Sequence, residues 1–551
     1  MLRNGSLHTS VRRGYRRLLP LLCLLLIIAP FGAVAFVRPA QAQLVQRPEF
    51  LQGDVVSNEY DGDTNDLLTG GLGAAGFTAG VVPPFADPAN PTAEELRTRT
   101  IYNNYLALVP EAPGGGYGTL FGPSVGVDGD GKIPGKEYLA FADDGTGRQN
   151  VTLMVQIPDS FDPDNPCIVT GPSSGSRGMY GAIGTSGEWG LKKGCAVAYT
   201  DKGTGMGVYD LASRTVNLID GTRTLATEAG KDSNFTPIIE GESYLIDLPN
   251  RLAFKHAHSR QNPEADWGTN VLQSIEFAFY VLNLPENFGL IVGGIAVSTV
   301  TPENTTVIAA SVSNGAAASV RAAEQDTEGL IDGIAVSEPN TNPQMTVPMT
   351  ITQNGRSWSG ENVGRPLIDY YTYLNLYQAC ANVATANAAA PLNLVSPELG
   401  ANRCQSLRDA GLLESDTLAE QAAEAQQKIN DYGILVEQNL LMPFHYFANT
   451  VESISVLYTN SYGRFGVEDN ICGFSYAQID ATGVPITATQ ALLAAQFSDS
   501  NGIPPSAGVA LINDNAQGGP SENRNSVSSN GVRDQNLPGA LCLRSLYTGE
   551  D

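Results

Sequence analysis

Histidine is nearly missing from this sequence: four in 551 residues, at positions 8, 256, 258 and 445. Any chemistry that needs an imidazole has few places to find one. Cations are short too, 32 against 57 acids, for a net charge of −25. A chain so acidic repels nucleic acid and anionic membranes. None of the seven cysteines forms a C-x-x-C pair, which removes the common zinc frameworks. Beyond residue 42 no apolar run approaches the ~20 residues that span a bilayer. No internal repeat occurs, and no Ser- or Pro-rich linker leads to a separate binding module.

The start of the chain is a different material. Arg3, Arg12, Arg13, Arg16 and Arg17 precede an apolar run over 18–37, and Ala40-Gln41-Ala42 forms an A-x-A cleavage signal. Residues 1–42 therefore read as a secretory signal peptide cut after Ala42. Length alone would allow an uncleaved anchor, but Pro20, Pro30 and the cleavage signal oppose it. Arg12-Arg13 also permits the twin-arginine route. Cleavage removes six arginines and no acid, so the charge falls to −31. A secreted protein is expected, in the periplasm or the medium.

Cys23 leaves with the signal. Cys167, Cys195, Cys380, Cys404, Cys472 and Cys542 remain, an even count that predicts three disulfides in an exported chain. Cys167 and Cys195 each open a short apolar run. On neighbouring parallel strands they would lie side by side, within bonding reach. Cys380 with Cys404 would close a local loop, which leaves Cys472 with Cys542.

Residues 43–135 are rich in Gly, Pro, Asp and Asn and read as a loop-rich extension. One helix is predicted there, from the capping box Thr92-Ala93-Glu94-Glu95 through Leu106. Asp128 and Asp130 lie in a Gly-rich run that lacks the last acidic ligand of a calcium loop, so a turn is expected. From about 137, EYLAFADD and NVTLMVQIP predict a hairpin. The runs 167–171 and 195–200 are continuous and apolar, as buried parallel strands require. A helix near 270–284, a strand at 306–311, a helix at 316–325 and a strand at 331–336 follow. The fold class is α/β: a mostly parallel, α/β-hydrolase-like sheet with an antiparallel start. The core is placed at 136–364, an inserted helical cap or lid at 365–450, and the remaining core at 451–551, with a late strand at 508–513.

Two matches to G-x-S-x-G occur, at Ser124 and Ser173. Neither has a strand before it and a helix after it. Ser313, in S-V-S-N-G, has both, with Ser311 at the first glycine position. A nucleophile elbow needs that setting, because the sharp turn exposes the hydroxyl and the helix N-terminus faces the developing oxyanion. Ser313 is therefore the candidate nucleophile. The run T-G-P-S-S-G-S-R-G at 170–178 is the expected oxyanion loop, with a backbone N–H near Ser174 or Gly175 acting beside that of Asn314. Arg177 either neutralises a carboxylate or is simply solvated. For the base, His445 fits the usual order of a hydrolase triad. His256 and His258, in F-K-H-A-H-S, stay open as the alternative, since triads are defined by geometry. Glu338, Asp469 and Asp514 are the candidate acids. No metal site and no cofactor are expected.

These residues resemble the D-(−)-3-hydroxybutyrate oligomer hydrolase family. The likeness is carried by S-V-S-N-G, I-D-G-I-A-V-S-E-P-N, S-S-G-S-R-G, F-K-H-A-H-S with D-W-G, and N-S-Y-G-R-F with C-G-F-S-Y-A, from about 140 to the end. It implies a serine esterase that cleaves dimers and short oligomers of (R)-3-hydroxybutyrate to the monomer, with Ser313 as nucleophile. It supplies neither base nor acid. The A-A-A after Gly315 departs from the glycine expected in relatives and bears on the helix entry. Two other readings stand beside it. One is an esterase of another specificity, tannase-like, feruloyl-esterase-like or active on polyester oligomers. The other is a non-catalytic acidic protein on a hydrolase scaffold. Partners are then small ester oligomers, with no nucleic acid and no membrane after cleavage; the oligomeric state stays open.

Overall fold

β-Branched and apolar runs make the centre of the molecule a seven-stranded sheet. Its strands are β1 (Leu51–Tyr60), β2 (Gly135–Ala142), β3 (Val151–Pro158), β4 (Cys167–Pro172), β5 (Ala196–Thr200), β12 (Thr306–Val312) and β13 (Gly333–Ser337), in the order β1-β2-β3-β5-β4-β12-β13. The first three junctions are antiparallel and the last three parallel. The fold is mixed α/β, and five of the seven strands run one way. The computed structural model describes residues 44–108, 131–241, 243–341, 350–353, 355–359, 364–528 and 531–549. The signal segment, Ser124, Asp128 and Asp130 lie outside them.

β1 falls inside the stretch expected to be loop. Gly53 and Asp54 weaken its strand signal, and its register slips between Gln52 and Val56. Exposed positions dominate it, as an edge strand allows. The predicted helix is present as α1 (Ala93–Leu108). Its capping box forms as read: the Thr92 hydroxyl accepts from the Glu95 N–H at 3.2 Å, and the Glu95 carboxylate accepts from the Thr92 N–H at 2.8 Å. Arg97 then locks α1 to the sheet. Its guanidinium makes two 2.9 Å bonds to Glu137 of β2, which also accepts from Gln156 and Tyr180. So complete a set of partners is what a buried ion pair requires.

The sheet is covered on both faces. On one, α2 (Trp267–Leu282) lays Val271, Ile275, Ala278 and Val281 against Leu153, Val155 and Ala198, joined by Ala318 and Ala322 of α3 (Ser313–Gln325). On the other, Ile101, Tyr102 and Tyr105 of α1 meet Leu139, Met154, Val197 and Tyr199. Coverage fails at β13. Ile334 there is 50% exposed, and among the described residues no further strand flanks it.

Smaller sheets surround this core. β6 (Val208–Asp210), β7 (Thr215–Asn217), β8 (Arg223–Leu225) and β9 (Leu252–Phe254) form one, in the order β8-β7-β6-β9. Two hairpins stand alone: β10 (Leu290–Val292) with β11 (Ile295–Val297), and β14 (Thr350–Gln353) with β15 (Arg356–Ser359). The late strand is present as β18 (Val509–Asn513). It pairs with β16 (Phe474–Ile479) and β19 (Ser521–Glu522) in a sheet completed by β17 (Pro485–Ile486), apart from the main one.

The helical region expected at 365–450 contains α4 (Leu367–Ala381), α5 (Pro397–Asp409), α6 (Leu418–Asp431) and α7 (Met442–Phe447), followed by α8 (Thr450–Gly463). It reaches further along the chain than the sequence implied. Leu537 and Ala540 of α9 (Leu537–Thr548) complete its core. All three disulfides are as argued: Cys167–Cys195, Cys380–Cys404 and Cys472–Cys542. Among the described residues no helix is long and apolar enough to cross a membrane.

Candidate active site

β12 delivers Ser313, and α3 begins there without a break. Ser313 has φ +54°, a left-handed conformation that costs a non-glycine residue roughly 1 kcal/mol or more. It is only partly buried. The turn is held from two sides. A Cβ on Gly315 would lie 2.2 Å from both the Pro172 carbonyl oxygen and the Ser311 hydroxyl, so glycine alone fits. Ser311 does more than replace a small residue, because its hydroxyl donates to the Pro172 carbonyl at 2.7 Å. The elbow is thereby fastened to the end of β4, where the 173–178 loop starts.

That loop offers donors. The Ser173 N–H is spent on the Thr200 carbonyl of β5 at 2.9 Å. The next three N–H groups, of Ser174, Gly175 and Ser176, find no acceptor among the described residues. At α3 the first N–H groups, including that of Asn314, likewise have no partner within the helix. Two sets of free donors therefore sit at adjoining β-strand ends.

Glu338 is brought to the same place. Val312 pairs with Ser337, so Glu338 is one step on, opposite Ser313. It too is left-handed, at φ +53°, and exposed. The Asn340 N–H donates to the Ser313 carbonyl at 3.4 Å. The other candidate acids are elsewhere. Asp469 caps the Gly466 N–H at 2.6 Å. Asp514 pairs with Arg251 at 2.6 Å, and burial raises its carboxyl above the usual range.

Among the described residues no histidine hydrogen-bonds Ser313. His256 shares a 2.8 Å hydrogen bond with Ser176 in the 173–178 loop and is fully buried. Burial, with Lys202 nearby, pushes it down to about 3. His258 accepts the Phe254 N–H on Nδ1 at 3.1 Å, and burial holds it at about 3 as well. His445 lines a cavity of about 590 Å³ in the helical region with Tyr370, Tyr371, Tyr432 and Met442. Burial lowers it too, so it is neutral near pH 7. Arg177 is desolvated and faces Asp499.

Sequence reasoning passed over Lys202. It follows β5 at φ +57° and is fully buried. Its ammonium donates to the Ser173 carbonyl at 2.5 Å, the Ser173 hydroxyl at 2.6 Å and the Gly175 carbonyl at 3.0 Å. The ring of Trp267 lies 5.1 Å away. Burial pushes Lys202 down to about 7, against the pull of Asp201 and Glu264. Burial pushes Glu264 up to about 7, and it accepts the Tyr462 hydroxyl. D-K-G-T-G directly after a buried strand was the available signal, but no spacing rule marks one lysine in a turn as buried.

Comparison with known proteins bears on this site. The sequence profile of the 3HB-oligomer hydrolase family matches residues 33–551. The chain belongs to the 3HB-oligomer hydrolase family. By that membership it is a hydrolase. A D-(−)-3-hydroxybutyrate oligomer hydrolase of Albidiferax ferrireducens is 49% identical over 518 residues, 91% of this chain and 72% of the relative. One from Polaromonas naphthalenivorans is 48% identical over the same shares. One from Burkholderia thailandensis is 44% identical over 557 residues, 98% of this chain and 78% of the relative. No solved structure matches.

Proposed function

We propose that this family member is an exported serine esterase on an α/β-hydrolase-like scaffold. It hydrolyses dimers and short oligomers of (R)-3-hydroxybutyrate through an acyl-enzyme on Ser313. One observation carries the reading: among the described residues Ser313 is the serine that joins a buried strand to a helix at a left-handed turn, with its side chain partly exposed. The names of the relatives support the substrate, and the three disulfides support export.

The Ser313 oxygen attacks the ester carbonyl while its proton passes to a histidine base. The carbonyl oxygen becomes an oxyanion, held by the N–H groups of Asn314 and of Ser174 or Gly175. Collapse breaks the ester C–O bond, and the base returns the proton to the departing hydroxyl. Water then repeats the sequence on the acyl-enzyme, freeing the acid and Ser313. His445 is assigned as base, because His258 already has Nδ1 committed to a backbone N–H. Glu338 is assigned as the acid, on its position beside Ser313.

A fluorophosphonate probe tests the nucleophile. The wild-type chain is expected to take one label and Ser313→Ala none; equal labelling of the two would end the proposal. A panel of hydroxybutyrate dimer, trimer and a feruloyl ester tests the substrate, with the dimer and trimer expected to turn over at least tenfold better.

A further inference from the structure

We infer that Lys202 is a positioning residue for hydrolysis, holding the Ser173–Ser174 peptide so that the Ser174 N–H is aimed at the oxyanion beside Ser313. The inference rests on the reading of Ser313 given above.

The direction follows from backbone geometry. β4 lies between β5 and β12. The Ser173 N–H points to the β5 side, where it meets the Thr200 carbonyl, and the Ser173 carbonyl meets the Lys202 ammonium, which follows β5. In a planar trans peptide the C=O of one residue and the N–H of the next point opposite ways. The Ser174 N–H must therefore face the β12 side, the flank on which Ser313 begins. Pro172 agrees, because its carbonyl meets Ser311 and Gly315 on that flank. The Gly175 carbonyl is also drawn to the lysine, so the loop is pinned at both ends of the donor segment.

The choice of residue needs explaining. A buried cation is costly unless well partnered, and among the described residues Lys202 has no carboxylate within ion-pair distance: Asp201 is bonded to Lys255 at 3.1 Å, and Glu264 to Tyr462. A neutral side chain could tie the loop more cheaply. Below about pH 7, where Lys202 carries its proton, a cation on the Ser173 carbonyl does something a neutral group does not. It polarises the peptide, so the N–H at its other end becomes a stronger donor. That strength counts most when the substrate oxygen turns negative, in the transition state and not in the bound ester. The effect should therefore fall on kcat and spare KM.

The test uses the full chain with p-nitrophenyl butyrate as probe. Lys202→Met keeps the stem and removes the charge; kcat should fall about a hundredfold, as for loss of an oxyanion donor, with KM within about threefold. Wild-type kcat in a folded Lys202→Met overturns the inference. Lys202→Gly suits the left-handed backbone and leaves a cavity the size of the lost side chain. Propylammonium should restore its kcat at least tenfold and 1-propanol should not; equal restoration by both, or none by either, means the side chain only fills space. Should Lys202→Met not fold, Lys202→Gly decides, and should neither fold, Ser173→Ala does. That change removes one acceptor and leaves the lysine, so a threefold loss of kcat at constant KM supports the inference and no loss overturns it. Ser313→Ala is run alongside. If it still turns over and takes the fluorophosphonate, the reading of the site has failed whatever the lysine does. If it is dead while Lys202→Met matches wild type, only the inference has failed.

Discussion

The hydroxyl of Ser311 reaches the carbonyl of Pro172 at 2.7 Å, so the strand that delivers Ser313 is fastened to the strand that runs into the 173–178 loop. A neutral hydrogen bond of this kind contributes about 1 kcal/mol. Ser311→Ala should lower kcat about fivefold with modest loss of stability. Gly315→Ala drives a methyl into the same contact and should cost about 1–3 kcal/mol, with kcat reduced at least a hundredfold. Urea unfolding beside steady-state kinetics separates the two effects.

The left-handed turn at Ser313 stores strain that the serine side chain does not relieve. Ser313→Ala and Ser313→Gly should be equally inactive. The glycine variant should nevertheless be more stable by about 1 kcal/mol, read as a higher urea midpoint at unchanged slope. Equal midpoints would show that the backbone carries no strain there.

Two histidines separate by what each loses. His445→Ala should abolish turnover, by at least a thousandfold in kcat, with little change in melting. His258→Ala orphans the buried Phe254 N–H, which costs about 1–3 kcal/mol, and should keep kcat within tenfold. The reverse pattern would move the base to the 256–258 segment.

Glu452 sits fully buried, facing Arg524 and Arg403, and burial pushes it up to about 7. The unfolded chain gives up that proton near the ordinary carboxylate value, so the native state binds more protons between about 4.5 and 7. The contribution of Glu452 to stability therefore falls as pH rises through that window and is level above it. Glu452→Gln should remove about 3 kcal/mol of that loss, at roughly 1.4 kcal/mol per pKa unit. Urea midpoints of wild type and variant at pH 5 and pH 8 measure it, as the difference between the two proteins.

Much of the centre was legible because its signals are local. The hairpin of β2 and β3, the capping box on α1 and the elbow at Ser313 each lie within a few residues of sequence. Cys167 and Cys195 could be paired because both open apolar runs. β1 was missed because Gly53, Asp54 and a mostly exposed edge erase the alternation that marks a strand. The late strand was seen, but its sheet was not, since the pairing of Val509–Asn513 with Phe474–Ile479 leaves no trace in either segment. At the site, Ser313 and Glu338 follow the ends of paired strands, and Ser174 lies just past the strand on the other side of β12. Asp469 and Asp514 were named for their charge, and the structure gives them a capping bond and an ion pair. Lys202 was invisible, because only the folded chain reveals that its ammonium is enclosed.

The margin of β13 has a practical side. Ile334 stands half out of the protein there, next to a row of main-chain groups that no described strand satisfies. Such a border is a template on which other polypeptides can crystallise into order. Storage at high concentration is where it should first be noticed, as slow self-association. A single lysine in place of Ile334, out of reach of the chemistry, would be the simplest way to keep the molecules apart.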